Sequence, residues 1–512
     1  MHSVCQNWVK IYGIDLNANA YYVIETYDHG YITAAQIQYG KYTWIYKTDI
    51  NGNLLWDKKI GTGLENLFFS PMNIEQTLDN GYVIAGSTSK YGSYDAFIIK
   101  MNSCAEIEWC KVLITPSNFD EGFRVKQTPQ GDYLLLGGYF ATNPASNVSL
   151  FKFNTSGDLV WHQFYPLDSI YYQDEPYDVL VDNDGYLIVT DRYFPDPGTI
   201  SPDIIRHHFI KTDTAGNQQW ELIYGATNYF YGWPWTAKKS ISGNYYDAGN
   251  QIIPDSGYTP SLVKVLHDGT QSYHKSLLSG TSYGGLSSID FLYDSLLVMV
   301  GGWTLNDTTY DAFFKTDTLG NVKKIKKIFH ISSSYTNTAK TFDNKFITIG
   351  NDATGGSWKI YAVKVNSNLE YDSIYSQPFT YDSLCPHPIV SSTINPDCSN
   401  VYVGVEEPFT NPETTRMKVY PNPARGDITI EMPRYLVVSN NAGAVPSTTV
   451  YHLWGSSMLE AYDLSGKKVF EKPVTRSEKE VSLDVSKWDR GIYNFILRYG
   501  KQTVASEKVI VH

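Results

Sequence analysis

At 512 residues the chain is longer than one ordinary core, and 42% hydrophobic with 18% charged residues excludes a disordered chain. A formal net charge of −12 and a pI near 5.4 exclude the basic footprint of a nucleic-acid or anionic-membrane binder. Aromatic residues make up 15%, with 41 Tyr and 39 Gly, which points to a mostly β protein. No apolar run reaches the ~18–20 residues that span a bilayer, so no transmembrane segment is expected.

The chain opens with MHSVCQNWVKIYG, which has neither a basic n-region nor an apolar h-region, so no signal peptide is visible. Within it, NWVKIYG (7–13) matches the end of a longer repeated unit whose remainder is missing there. Either the N-terminus is truncated, or this strand closes a ring by completing the final unit. A last strand of the final unit's own, expected near Glu370–Gln377, favours truncation.

Seven related stretches follow: YKTDINGNLLW, IKMNSCAEIEW, FKFNTSGDLVW, IKTDTAGNQQW, VKVLHDGTQSY, FKTDTLGNVKK and VKVNSNLEYDS. Their lysines are Lys47, Lys100, Lys152, Lys211, Lys264, Lys315 and Lys364, at steps of 53, 52, 59, 53, 51 and 49 residues. Trp56, Trp109, Trp161 and Trp220 each lie nine residues beyond a lysine. A second landmark precedes each copy, as in HGYITAA (29–35) and NGYVIAG (80–86). Each unit parses into four short strands; for the second these are 72–78, 81–87, 95–101 and 107–113. One such sheet cannot bury its faces alone, and a period near 50 with four strands per unit is that of a propeller blade. Residues 1–380 are therefore expected to form a β-propeller of about seven blades.

Asp213-Thr-Ala-Gly216-Asn217 invites a metal reading, but its glycine comes too early for a calcium loop and no distant glutamate follows. Asp with Gly three residues on is hairpin-turn chemistry. The adjacent His207 and His208 point to opposite faces of a strand and do not share an ion easily. No metal or cofactor is expected. In propeller order these turns occupy one face, leaving the variable segments DRYFPDPGTISPDI (191–204) and NYFYGWPW (228–235) on the other. There Tyr229, Tyr231, Trp233 and Trp235 alternate and are expected to form an aromatic strip. With Asp191, Asp196 and Asp203 beside it, the strip suits stacking on sugar rings or a peptide contact; packing between blades is the alternative.

Residues 381–412 carry five prolines and read as a linker, in which Cys385 and Cys398 are placed to pair. Cys104 and Cys110 read as ordinary strand and turn residues. Residues 413–512 then show seven short strand-like runs, a β-sandwich pattern of Ig-like type.

Three stretches of this last part carry a resemblance: VYPNPARGDITI (419–430), LEAYDLSGKKVFE (459–471) and GIYNFILRYGKQTVASEKVIVH (491–512). They resemble the type A sorting domain of type IX secretion substrates, through Tyr420-Pro421-Asn422-Pro423, Asp463 with Gly466-Lys467, Gly491, Tyr493 and the Lys508-Val-Ile-Val end. The resemblance implies export across the outer membrane of a Gram-negative cell after Sec transport. Its implied partners are the type IX secretion machinery and a sortase-like protease. Together these features lead to the expectation of a secreted or cell-surface binding scaffold. The alternative is a polysaccharide-active hydrolase or lyase with its site at the channel mouth, a reading that paired carboxylates with raised pKa values would favour.

Overall fold

The computed structural model describes residues 7–512 except 65–66, 90–93, 116–119, 141–145, 166–173, 195–203, 225–231, 254–256, 279–282, 306–307, 329–336, 354–355, 404–416, 433–435, 441–446, 452–456, 475–479 and 500–501. The described residues form strands and turns with no helix, so none is long and apolar enough to cross a membrane. The chain divides into two compact units, Met1–Leu113 with Ser117–Val401, and Ile114–Pro116 with Tyr402–His512.

The first unit is propeller-like, and its described residues form seven sheets with the antiparallel order expected of blades. Their first strands are Asn19–Glu25, Phe69–Gln76, Asp120–Gln127, Pro176–Asp182, Pro234–Lys239, Tyr283–Tyr293 and Asn337–Lys340. These strands touch one another in succession, and the last touches the first. Apolar residues fill the gaps between sheets: Ile347, Ile349 and Ile360 of the seventh pack with Val23, Ala35 and Trp44 of the first. The second unit of the repeat runs Phe69–Gln76, Tyr82–Thr88, Asp95–Met101 and Ile107–Ile114, within a few residues of the expected strands.

The seventh sheet takes its fourth strand from the start of the chain, since Val9–Tyr12 pairs antiparallel with Lys359–Val365. The expected strand near Glu370–Gln377 is absent as a strand; that stretch makes only the isolated bridges of Tyr371 with Val365 and of Ser373 with Asn7. The place is already occupied, so the chain there turns away from the ladder. Packing explains why NWVKIYG resembles the repeat. A Cβ on the turn glycines Gly157, Gly216 and Gly269 would meet Trp109, Trp161 and Trp220 of the preceding sheet at about 2.7–2.9 Å, and one on Gly52 would meet Trp8 at 2.9 Å. Trp8 thus does for the first sheet what the repeat tryptophans do elsewhere.

The stretch after residue 380 corrects two expectations. Its first part is a strap on the first two sheets rather than a free linker: Ser392–Ile394 runs parallel to Leu54–Ile60, and Ser399–Tyr402 joins the edge strand Ile107–Ile114. Cys385 does not pair with Cys398; the disulfides are Cys104–Cys385 and Cys110–Cys398, with Cα separations of 5.2 and 4.5 Å. Pairing of Ser399–Tyr402 with the second sheet holds Cys398 beside Cys110, and proximity in sequence cannot compete with that.

In the second unit a three-stranded sheet (Lys418–Tyr420, Asp427–Glu431, Glu480–Asp484) and a four-stranded sheet (Lys468–Val474, Ser457–Tyr462, Gly491–Tyr499, Gln502–Val511) share one apolar core. Ile428, Ile430 and Val481 from the first meet Leu459, Phe495 and Val509 from the second. Asn422 donates to Lys508 O (2.7 Å) and accepts from Ile510 N (2.9 Å), tying the Pro-Asn-Pro loop to the final strand. Tyr420 is half exposed, and the Tyr493 hydroxyl donates to Asp489 O at 2.8 Å.

Candidate functional site

Each sheet of the first unit has two ends, which differ in chemistry. At one end lie the Asp-x-x-Gly turns. Asp213 Oδ1 accepts from Ala215 N and Asn217 N, both at 2.9 Å, while Gly216 takes a φ of +83°. These contacts keep the Asp213 carboxylate below its usual range, chiefly through Asn217. The repeated lysine is buried beneath: Lys47 Nζ lies 2.5 Å from Asp28, Lys100 2.8 Å from Asp79, and Lys211 2.9 Å from Asp184. The second landmark therefore supplies an acid for the lysine of the same sheet. Among the described residues, no group of three or more His, Cys, Asp or Glu side chains is arranged to hold a metal ion.

At the other end the first strands carry a bulge at one repeated position. The register skips Tyr21, Met72, Phe123, Tyr177, Trp235 and Ser287 in the first six sheets. A bulged residue leaves the ladder and its side chain is re-aimed. All six line one cavity of about 650 Å³, to which the seventh sheet contributes Asn337. Because every first strand supplies a wall residue, the cavity sits on the common axis of the sheets. Polar side chains beside the bulges bind consecutive sheets together. Asn73 accepts from Val125 N (2.9 Å), Asp178 from Ala237 N (3.0 Å), Ser288 from Thr338 N (3.1 Å) and Asn337 from Val23 N (2.9 Å).

The lining is aromatic with a few charges: Tyr22, Phe68 and Tyr94 add to the bulged rings, and Glu121, Glu175 and Arg124 are the charged members. Burial, reinforced by Glu175, pushes Glu121 up to about 7. Tyr177 hydroxyl lies 3.1 Å from Asp191 Oδ2 and 3.2 Å from Glu175 Oε2, and its ring meets Trp235 edge-on at 5.4 Å. Burial and then those two acids raise the Tyr177 phenol well above its ordinary value. Arg124 stands over the Tyr22 ring at 5.3 Å, with Nε 3.6 Å from Asp178 Oδ1. Deeper on the axis, Glu75 pairs with Lys126 and Asp290 with Lys238, each at 3.4 Å.

The residues expected to form the aromatic strip separate. Trp235 lines the cavity, whereas Trp233 packs on Tyr258 (5.2 Å) and its indole N–H donates to Tyr193 (3.2 Å). The bulge between Pro234 and Thr236 breaks the alternation that would have aligned them. Asp191 is fully buried instead of exposed beside the strip; its Oδ1 accepts from Glu175 N at 2.8 Å, so it positions two cavity residues. Tyr229, Tyr231, Asp196 and Asp203 lie outside the described residues. His207 and His208 do diverge, His207 Nδ1 lying 2.6 Å from Asp247 and His208 Nδ1 3.3 Å from Asp174. Sequence reasoning missed Tyr21, Tyr22, Glu121, Phe123, Arg124, Glu175 and Tyr177. A signal existed: five of the six bulged residues stand ten positions before Tyr31, Tyr82, Tyr133, Tyr245 and Leu297, and Tyr177 nine before Tyr186.

Residues 418–512 match the family described as a secretion system C-terminal sorting domain. That tail implies use of the type IX secretion machinery and export to the cell surface or beyond. No curated protein matches the chain. Among solved structures, polysaccharide lyase Uly1 is 7% identical, with 72% of this chain and 94% of that one covered, at a TM-score of 0.47. An endo-arabinase from Bacteroides thetaiotaomicron is 11% identical (49% and 93% covered, TM-score 0.31). An α-L-arabinanase from Penicillium chrysogenum complexed with arabinobiose is also 11% identical (68% and 93% covered, TM-score 0.35). At these values the likenesses carry no argument about fold or activity.

Proposed function

We propose that the chain is a secreted or surface-displayed carbohydrate-binding protein whose ligand enters the axial cavity of a closed seven-bladed propeller. Residues 1–380 with the strap then form the cargo, and residues 413–512 are a type A sorting domain of Ig-like sandwich form, recognised by the type IX machinery and its sortase-like protease. The observation that carries the binding reading is the repeated bulge, which aims Tyr21, Phe123, Tyr177 and Trp235 into one cavity beside carboxyl and amide groups. Aromatic faces suit sugar C–H surfaces, while flanking polar groups suit hydroxyls. A glycan-array screen of the full chain tests it: Trp235→Ala is expected to lower binding at least tenfold, and Trp233→Ala to leave it nearly unchanged. Equal signals from wild type and Trp235→Ala would refute the cavity reading. Deleting residues 413–512 in the native host is expected to trap the cargo in the periplasm; normal display without them would remove that role.

A second reading, polysaccharide cleavage, is favoured by Glu121, whose carboxyl is held near 7 in the same cavity as Glu175. A carboxyl poised there suits proton transfer at neutral pH. Glu121→Gln that abolishes product release while retaining glycan binding would support catalysis; no release by the wild-type chain on any bound glycan would exclude it.

A further inference from the structure

The chemistry of the cavity lining narrows the ligand class. Glu121 is largely buried beside Glu175, and among the described residues it has no ion-pair partner. Among the described residues of the lining, Arg124 is the only cationic side chain. Its guanidinium is already engaged by the Tyr22 ring, by Asp178 and by Phe123 O, to which Nη1 donates at 3.1 Å. Lys126 and Lys238 lie below, each beside its own carboxylate. Asp191, fully buried behind Tyr177 and Glu175, is pushed well up by burial and then by Glu175, so it positions those two residues rather than adding charge. The rings of Tyr21, Phe123, Tyr177 and Trp235 line the same cavity. Ring faces carry negative potential and attract cations within about 6 Å. Carboxyl groups set among aromatic rings suit an ammonium group.

We propose that the cavity selects a glycan bearing a free ammonium group, an unacylated amino sugar, over neutral and anionic sugars. The inference rests on the carbohydrate reading above. The ammonium would sit between Glu121 and Glu175 against the aromatic walls, with the ring carbons on Trp235 or Tyr177. An N-acetyl group removes the charge and leaves Glu121 facing a neutral amide. A uronate or sulfate brings like charge against two carboxyls.

Isothermal titration of the full chain at about pH 6.5 tests the idea. The probes are a glucosamine tetrasaccharide, its N-acetylated counterpart, a uronate tetrasaccharide, and choline as an ammonium without a sugar. The free-amine oligomer is expected to bind about tenfold or more tightly than the acetylated one, with the uronate weakest. Glu121→Gln should lower free-amine affinity about tenfold and affect the acetylated oligomer far less, with an unaltered thermal unfolding midpoint reporting an intact fold. Equal affinity for the amine and acetylated oligomers overturns the ammonium selectivity while the glycan reading stands. Choline binding without either oligosaccharide upholds ammonium recognition and overturns the glycan reading. No binding of any probe overturns both.

Discussion

The two ends of the repeated sheets solve different problems. At the turn end the side chains repeat: an aspartate or asparagine bound to its own backbone, a buried lysine, and a glycine under a neighbouring ring. At the bulge end the backbone repeats and the side chain is free to vary, from Tyr21 and Met72 to Trp235 and Ser287. The first end packs its turn glycines on tryptophans of the preceding sheet. The second presents one variable group per sheet to a common axis, so diverse chemistry can be written on an unchanged scaffold.

The largest effect should come from the turn end. Lys47 is fully buried, and its removal in Lys47→Ala leaves Asp28, 2% exposed, without its main counter-charge. A loss of about 3–5 kcal/mol is expected in chemical unfolding. A change below 1 kcal/mol would mean that the lysine repeat has no structural weight.

The strap comes next. Serine at Cys110 and Cys398 together removes a cross-link spanning 288 residues and should cost about 2–5 kcal/mol. Peptide mapping without reductant should recover Cys104 with Cys385 and Cys110 with Cys398; a peptide joining Cys385 to Cys398 would contradict the strap.

The same turn occurs in both units, which allows a sharper contrast. Gly216 and Gly466 have φ values of +83° and +82°, but a Cβ on Gly216 would meet Gln163 at 2.8 Å and Trp161 at 2.9 Å, whereas one on Gly466 meets nothing within 4 Å. Gly216→Ala should cost about 2–4 kcal/mol, from strain and overpacking together. Gly466→Ala should cost about 1–2 kcal/mol, from strain alone. Equal costs in thermal unfolding would show that the tryptophan contact adds nothing.

The smallest effect concerns pH. Burial raises the fully buried Asp311 to about 7, with the Tyr361 hydroxyl opposing the shift. Its native state therefore holds a proton that the unfolded chain releases, so this stabilisation is full below about pH 4 and lost as pH rises towards about 7. Asp311→Asn should flatten stability across that window, as read by chemical unfolding at about pH 4 and pH 7. An unchanged slope would refute the assignment.

The repeat was legible because two landmarks recur at nearly constant spacing, and each is fixed by local chemistry. The Asp213 turn could be read from five residues since its hydrogen bonds close within them. The tail's Pro-Asn-Pro, Asp463 turn and final strand were legible for the same reason. The cavity was not, because a bulge leaves no break in hydrophobic alternation. Tyr177 and Trp235 look like any strand aromatics until the register around them is known. Glu121 and Glu175, in different sheets, approach only when the first strands gather on an axis.

What the sequence determined by itself is therefore the unit: four strands, a self-capped turn, a lysine with its acid, a tail of recognisable pattern. These depend on residues close in the chain, where spacing stands for geometry. What only the tertiary structure decided is how the units close and what they enclose. Val9–Tyr12 finds Lys359–Val365 across the whole propeller-like unit, and Cys104 and Cys110 find partners 281 and 288 residues away. Such pairings are set by the packing of whole sheets, a long-range condition that no local spacing records. The acid-bearing aromatic cavity on the axis is a product of the same condition.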